Sequence, residues 1–578
     1  MYFDFTVPIP AKHVVRITIK GSRYIYFERS REYDTDKKYN SAKRICIGKQ
    51  DGTDCNLMHP NQNFLQCFPG YEVPEEKPAF ARSSCLRIGS FLVLNRIARS
   101  LGIPEMIHRI LGPRDGGLFM DFALYSIITE DNAAQYYPDY AYSHALSTQD
   151  MAIFSDTKIS NLLQDMPEDT SSRFLNEWNG SRDHRQRIYI SYDSTNKNSQ
   201  AGDLEFVEFG HPKDDKGLPV FGYSIAYDRT NSIPLFYEQY PGSIVDISQL
   251  EFMLGKASAY GYANATFILD RGYFSKSNIR TMEEKNYNFI IMVKGMHELV
   301  DSIIDEKKGS FESARDNYIR SHALYGTTVA RKLYADDSKP RYIHLYYSVH
   351  RESAETSILE KRLNAMKDSM DKLRNTAYIF RSGFKKYFNL TYDGNGIFLM
   401  HGERKDVIER ELGYCGYFCI VTSEKMSATE ALETYKSRDE NEKLFRGDKS
   451  YLGDRSMRVY TDERTSSKIL IEFVALIIRC RLYTYIKDAF RNEPSKPNYA
   501  TVPAAIRELE KIEMSRGYDG IYRLDHAVTR RQKDILRCFG MDADMVRLKA
   551  DEISTILTTQ KREKRSTENG QTKEDSSN

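Results

Sequence analysis

The chain has 578 residues, 40% of them hydrophobic and 28% charged, and 83 Lys and Arg against 81 Asp and Glu leave a formal net charge of +2. That is the composition of a folded protein of several domains; it excludes a disordered chain and leaves any contact with nucleic acid to local basic patches. The eight cysteines are scattered, with only Cys415 and Cys419 close together, the start MYFDFTVPIPAKH has no basic leader or apolar segment, and the longest apolar run, Ile469 to Ile478, is broken by Glu472; a zinc site, secretion and a membrane span all lose support, and a cytoplasmic protein is expected.

Residues 14–49 alternate as strands do. In VRITIK, Val15, Ile17 and Ile19 point one way and Arg16, Thr18 and Lys20 the other, so 1–75 reads as an N-terminal β-rich module. Residues 85–180 turn helical in LRIGSFLVLNRIARSLGI, GLFMDFALYSIITED and SDTKISNLLQDM, with Gly, Pro and Asn-Asp breaks between them. SDTKISNLLQDM looks like a short helix after a turn, as in a helix-turn-helix, but it carries no spacing constraint and plain packing is the commoner use of such a helix; as a DNA-binding region, 85–180 would use SDTKISNLL as a groove-entering helix with Lys158 and Arg173 as local basic side chains. Residues 187–296 give strands RIYISYD, VFGYSIAYD and IPLFYEQY, then helix DISQLEFMLGKASAYG, strand TFILD, helix SKSNIRTMEEKN and strand NFIIMVKG. Three strands, helix, strand, helix, strand is the order of a ribonuclease H-like α/β sheet. From 297 to 412 a β-rich insertion surrounds one charged helix, 352–375, whose Leu359, Leu363, Met366, Met370 and Leu373 alternate four and three apart. The α/β pattern resumes over 413–490 with strand YFCIVTS, a helix and the apolar ILIEFVALIIRCRLYTYIKDAF, which should lie buried against the sheet. Residues 499–558 form a C-terminal helical region, and 561–578, without one apolar residue, should be disordered.

Two aspartates stand where apolar strands meet polar turns. Asp193 closes RIYISYD before STN, and Asp270 closes TFILD before RGY. In the expected topology their strands are neighbours, and strand ends are where open α/β sheets place ligands. Two carboxylates brought together repel unless cations neutralise them, and two Mg²⁺ ions suit such oxygen ligands and would hold a phosphodiester for in-line displacement. The helix after YFCIVTS starts at Ser427, where S-A-T-E is a capping box. On it Tyr435, Arg438 and Glu442 fall within an arc of roughly 60°; Lys449 would join them, but Gly447 is a helix stop. Glu442 is the candidate third carboxylate. Taken singly, a charged helical face is ordinarily solvated and an aspartate after a strand is ordinarily a polar cap.

Taken together, D-S-T-N from Asp193, D-R-G-Y from Asp270 and Y-x2-R-x3-E-x6-K (Tyr435, Arg438, Glu442, Lys449) resemble the DDE transposases of bacterial insertion sequences, in the insertion-sequence-four-like branch marked by a Tyr-Arg-Glu-Lys signature. The resemblance covers about 85–485, and the 172 residues from Asp270 to Glu442 (442 minus 270) fit members with a β-strand insertion there. It implies a ribonuclease H-like catalytic domain that cleaves DNA at the ends of a mobile element and transfers the strands to a target. Asp193, Asp270 and Glu442 would hold two Mg²⁺, with Mn²⁺ able to substitute; Arg438 and Lys449 would grip phosphates, and Tyr435 would pack against DNA. The implied partners are double-stranded DNA with terminal inverted repeats, target DNA, and a second copy of the chain as a homodimer on DNA, in a bacterial cytoplasm at the nucleoid and with no membrane. Residues 1–75 are not explained by the family pattern. A ribonuclease H-type nuclease or resolvase would share the carboxylates without needing the Arg and Lys at these offsets, and a domesticated DNA-binding protein would keep the fold without the chemistry. A carboxylate-pair glycosidase should show sugar-stacking tryptophans, and the only one is Trp178.

Overall fold

The computed structural model describes the chain except for residues 1, 4, 20–21, 35–38, 53, 72–81, 199–203, 205–206, 209–218, 245, 439–456, 494–495 and 575–578. It forms two compact units, one of Met1–Arg96, Gln135–Asp156 and Ile486–Asn578, the other of Ile97–Ala134 and Thr157–Tyr485. The segment 85–180, read from sequence as one helical region, is therefore shared between them. Its helices find partners far away in the chain: His144 meets Glu510 at 2.8 Å in the first unit, while in the second the Trp178 indole donates to the carbonyl of Pro234 at 3.0 Å.

The first unit contains an antiparallel sheet of β1 (Val7–Pro8), β2 (Val14–Ile19), β3 (Ser22–Asp34), β4 (Tyr39–Gln50) and β5 (Leu57–Pro60), in the order β1-β5-β4-β3-β2. Val7, Ile25, Ile47 and Met58 bury one face together with Phe64 of the helix Gln62–Cys67. The register sets Arg16 opposite Ile25 and Val15 opposite Tyr26, so Val15, Ile17 and Ile19 lie on the face away from this core. Further along, β6 (Cys85–Arg87) pairs antiparallel with the strand Glu513–Arg516. The last helix, Ala543–Glu574, runs through most of the 561–578 stretch expected to be disordered. Lys, Arg, Glu and Gln are good helix formers.

The second unit is built on a mixed nine-stranded sheet. Its members are β7 (Ile188–Asn198), β8 (Val220–Asp228), β9 (Ile233–Pro241), β10 (Ala265–Leu269), β11 (Asn288–Met292), β12 (Tyr318–Ile319), β13 (Leu324–Arg331) and β14 (Arg341–Tyr347). A separate hairpin of β15 (Phe388–Tyr392) and β16 (Phe398–Glu403) follows, and then β17 (Tyr417–Thr422) returns to the large sheet. The order is β12-β13-β14-β17-β11-β10-β7-β8-β9. β7, β10 and β11 run parallel, β8 pairs antiparallel with β7 and β9 antiparallel with β8, and β17 lies antiparallel between β11 and β14. Every residue of β8 is buried, as its near-continuous apolar run requires of a strand covered on both faces. The apolar helix expected against the sheet is Asp462–Ala489, and Phe473 on it lies 4.9 Å from the ring of Tyr237 on β9. Glu472, which interrupts its apolar run, is 1% exposed; it pairs with Lys197 of β7 at 3.3 Å and accepts from Asn132 at 3.0 Å.

The insertion divides its strands between the central sheet and the hairpin of β15 and β16. β14 pairs with β17 and β17 with β11, so β12 to β14 extend the central sheet. The helix expected at 352–375 spans Val349–Lys372 and is capped by Ser348, whose hydroxyl accepts from the Arg351 N–H. Its Leu359, Leu363 and Met370 pack with Phe380, Tyr387, Phe388, Phe398 and Ile408 into a second core around β15 and β16. Among the described residues no helix is long and apolar enough to cross a membrane.

Candidate active site

Parallel pairing of β7 with β10 ends at Tyr192 opposite Leu269, so Asp193 and Asp270 occupy the next position on two adjacent strands. Asp193 is not at the end of its strand, as the sequence suggested. β7 continues to Asn198 because Asp193 to Asn198 pair with β8; what stops at Asp193 is the ladder to β10. The polar side chains beyond it are accommodated by partners. Ser194 Oγ meets the Tyr273 hydroxyl at 2.8 Å, and Lys197 is paired with the buried Glu472.

The D-R-G-Y turn is fixed by its tyrosine. Tyr273 is 2% exposed, its ring lies 5.1 Å from that of Tyr192, and its carbonyl accepts from Asn278 Nδ2 at 2.9 Å. Asp270 sits at the extended residue before the single turn Arg271–Tyr273, with its side chain 38% exposed. Asp193 accepts the N–H of Ser194 at 2.8 Å. Both carboxylates are thus held by β7, β10 and one locked turn.

The third contribution comes from the helix Ala428–Lys436. The capping box read in S-A-T-E is present: Glu430 N–H donates to Ser427 Oγ at 3.1 Å and the Ser427 N–H to Glu430 Oε2 at 2.8 Å. Tyr435 is buried in a cluster with Ile268, Ile290, Tyr346, Ile420 and Leu432. The helix ends one residue later, and the turn carries on through its C-cap Ser437, which keeps helical backbone angles and whose hydroxyl accepts from Arg229 Nε at 3.1 Å. The Arg438 N–H donates to the Tyr435 carbonyl at 3.1 Å. Tyr435 and Arg438 converge on one atom. The Tyr435 hydroxyl donates to Asp270 Oδ1 at 3.5 Å, Arg438 Nη1 is ion-paired with the same oxygen, and the guanidinium lies 5.2 Å from the Tyr435 ring centre. Glu442 and Lys449 lie outside the described residues.

Burial pushes the Tyr435 hydroxyl up to about 12, so it remains a donor at neutral pH. Burial works against the charge on Arg438, but Tyr435, Asp270 and Asp193 together hold its pKa above the ordinary arginine value. A permanent cation therefore stands beside the two aspartates. Adjacent, partly exposed carboxylates are a donor set suited to a hard divalent cation. No group of three or more His, Cys, Asp or Glu side chains placed to hold a metal is found among the described residues.

Sequence reasoning did not identify Ser194, Tyr273, Ser437 or Arg229 as supports of this site. For Lys197 and Glu472 a signal existed, since a lone glutamate inside an apolar run needs a buried cation. The candidate groove-entering helix, Asp156–Asp165, buries Ile159, Leu162 and Leu163, and its Lys158 lies 3.5 Å from Asp115. Arg173 is exposed.

Residues 191–478, from within β7 to within the helix Asp462–Ala489, match the family model described as Transposase DDE domain. No curated protein matches the chain. Among solved structures the chain is similar to a piggyBac transposase in a synaptic complex with hairpin DNA, at 8% identity and a TM-score of 0.34, over 81% of this chain and 85% of that one.

Proposed function

We propose that the chain is a DNA transposase of the DDE type, cleaving DNA at the ends of a mobile element and transferring the strands to a target. The observation that carries this reading is the placement of Asp193 and Asp270 at matching positions on paired parallel strands, with Arg438 on Asp270, inside the segment that matches the transposase domain. The strand order β9-β8-β7-β10-β11, with β7, β8 and β9 antiparallel and β10 and β11 parallel to β7, supports a ribonuclease H-like catalytic core. The four signature residues favour the insertion-sequence-four-like branch, with terminal inverted repeats as the DNA ends and a homodimer as the working form.

In this reading Asp193, Asp270 and Glu442 hold two Mg²⁺ ions, or Mn²⁺ in their place. Such cations supply polarisation of the phosphodiester and a water nucleophile at neutral pH. The chain's own residues do the rest. β7 and β10 keep the aspartates side by side, Tyr435 orients Asp270 by a hydrogen bond, and Arg438 offers a guanidinium suited to a phosphate oxygen beside the bond being broken. Lys449 adds a second phosphate contact. Purified full-length protein with Mg²⁺, a duplex carrying the element's inverted-repeat end and a supercoiled target plasmid should give cleavage at the repeat and end-joined plasmid. Hydrolysis of the RNA strand of an RNA–DNA hybrid with no joined plasmid would replace this reading with that of a ribonuclease H-type nuclease.

A further inference from the structure

The second core of the larger unit leaves one surface uncovered. Between the helices Val349–Lys372 and Ser382–Tyr387 the chain crosses the outside of that core, with Ile379 81% and Tyr378 44% exposed while Phe380 is buried. The loop is fastened from beneath. The Phe380 ring lies 4.9 Å from both Tyr378 and Phe398, the Asn375 N–H donates to the Phe398 carbonyl at 2.8 Å, and the Phe398 N–H donates to that of Thr376 at 3.0 Å. Tyr378 and Ile379 are thus held outward on a braced loop, where an isoleucine this exposed forgoes its burial energy.

Cations flank them along the chain. Lys372, Arg381 and Lys385 are exposed and have no ion-pair partner among the described residues, whereas Lys386 is matched by Glu411 at 2.6 Å and Arg374 by Asp371 at 3.9 Å. Unmatched cations interleaved with a projecting aromatic ring and an aliphatic side chain suit a polyanion that also offers apolar faces. Nucleic acid offers both, phosphates for the cations and the faces of unstacked bases for Tyr378 and Ile379. A peptide of acidic and apolar side chains would meet the same groups, and the DNA-acting reading of the chain favours nucleic acid over it.

We infer that the surface spanning 372–385 is a DNA-docking surface additional to the Asp193–Asp270 site, contacting phosphates through Lys372, Arg381 and Lys385 and unstacked bases through Tyr378 and Ile379. It rests on the DNA-acting reading above. The test is fluorescence anisotropy of the full chain with a labelled duplex and a labelled single strand over a range of salt, with thermal melting to confirm folding. Lys372→Ala/Arg381→Ala/Lys385→Ala should weaken duplex binding on the order of tenfold and lower the salt slope by about 2.7, at about 0.9 for each phosphate no longer neutralised. Tyr378→Ala/Ile379→Ser should weaken single-strand binding roughly tenfold and leave the slope unchanged. Unchanged affinity and slope in the triple variant, with wild type still binding DNA, would overturn this inference alone. Weaker binding by the triple variant with no effect of the double one, and equal competition by heparin, would reduce the surface to a bare charge patch and overturn it too. Failure of the wild-type chain to bind either DNA would overturn the DNA-acting reading along with it.

Discussion

Arg438 is where a single side chain divides two accounts of the same residues. A charged side chain in solvent can be changed at a cost of no more than about 0.5 kcal/mol. Arg438 is not in that position: its side chain is 16% exposed and shares Asp270 Oδ1 with Tyr435. If it grips a phosphate beside the scissile bond, Arg438→Ala should slow cleavage by at least roughly a hundredfold in a folded protein, the scale of losing one preorganised charge donor. Arg438→Lys should recover only part, since an ammonium keeps the charge but loses the two-pronged geometry. Cleavage rates beside thermal melting check this, and wild-type rates in both variants would make the Asp270 contact a structural ion pair only. A second residue-scale prediction concerns Lys468, 2% exposed, whose ammonium donates to the Met457 carbonyl at 2.6 Å. Burial pushes its pKa down to about 8, with Glu472 and Asp131 opposing that shift and Arg458 and Lys197 adding to it. A lysine whose folded pKa lies below its unfolded value of about 10.4 binds more protons unfolded than folded between those two values, so its contribution to stability rises with pH over that window and is least favourable below about 8. The urea midpoint of wild type relative to Lys468→Met should therefore rise from pH 7.5 to pH 10; parallel profiles would show that Lys468 is not the titrating group.

At the scale of elements, what was legible was whatever one stretch decides for itself. S-A-T-E is a complete local instruction, and the capping box forms as read. The apolar run around Ile469 to Ile478 could only be a buried helix. Boundaries set by distant partners were not legible. Asp193 looked like a strand end because STN is polar, yet the strand continues, since Ser194 finds Tyr273 and Lys197 finds Glu472 far along the chain. The helix carrying Tyr435 ends at Lys436, where Ser437 caps it in helical geometry and is engaged by Arg229, a partner that no local pattern announces. The insertion was legible as β-rich, but nothing local states that β14 pairs with β17 and so joins the central sheet. The Ser194–Tyr273 contact joins β7, which carries Asp193, to the turn after β10 that follows Asp270, and yields a test of its own. Tyr273→Phe and Ser194→Ala should each cost about 1 kcal/mol in urea unfolding, and the double variant clearly less than the sum, because both remove the same hydrogen bond. Cleavage should fall in all three variants while binding to element ends holds, since a small misplacement of a reacting group is expensive. Strictly additive costs would mean that this bond does not couple the strands.

For the whole molecule, a net charge of +2 supplies no general attraction for DNA, so binding and chemistry must each come from particular groups. The larger unit contains the aspartate pair and the 372–385 surface, and the smaller unit contains the N-terminal β-rich module that the family pattern leaves unexplained. If the carboxylates serve only the chemistry, removing their charge should leave DNA binding in place. The most direct measurement is single-turnover cleavage of a duplex carrying the inverted-repeat end, in Mg²⁺, by wild type, Asp193→Asn, Asp270→Asn and Glu442→Gln, with a gel shift on the same duplex. The account predicts that all four proteins shift the duplex alike and that only wild type cuts it, with chelation of the metal abolishing that cut. Cleavage by Asp193→Asn or Asp270→Asn at near wild-type rate would contradict it, because the paired aspartates at the ends of the β7–β10 ladder would then not be the groups that hold the metal.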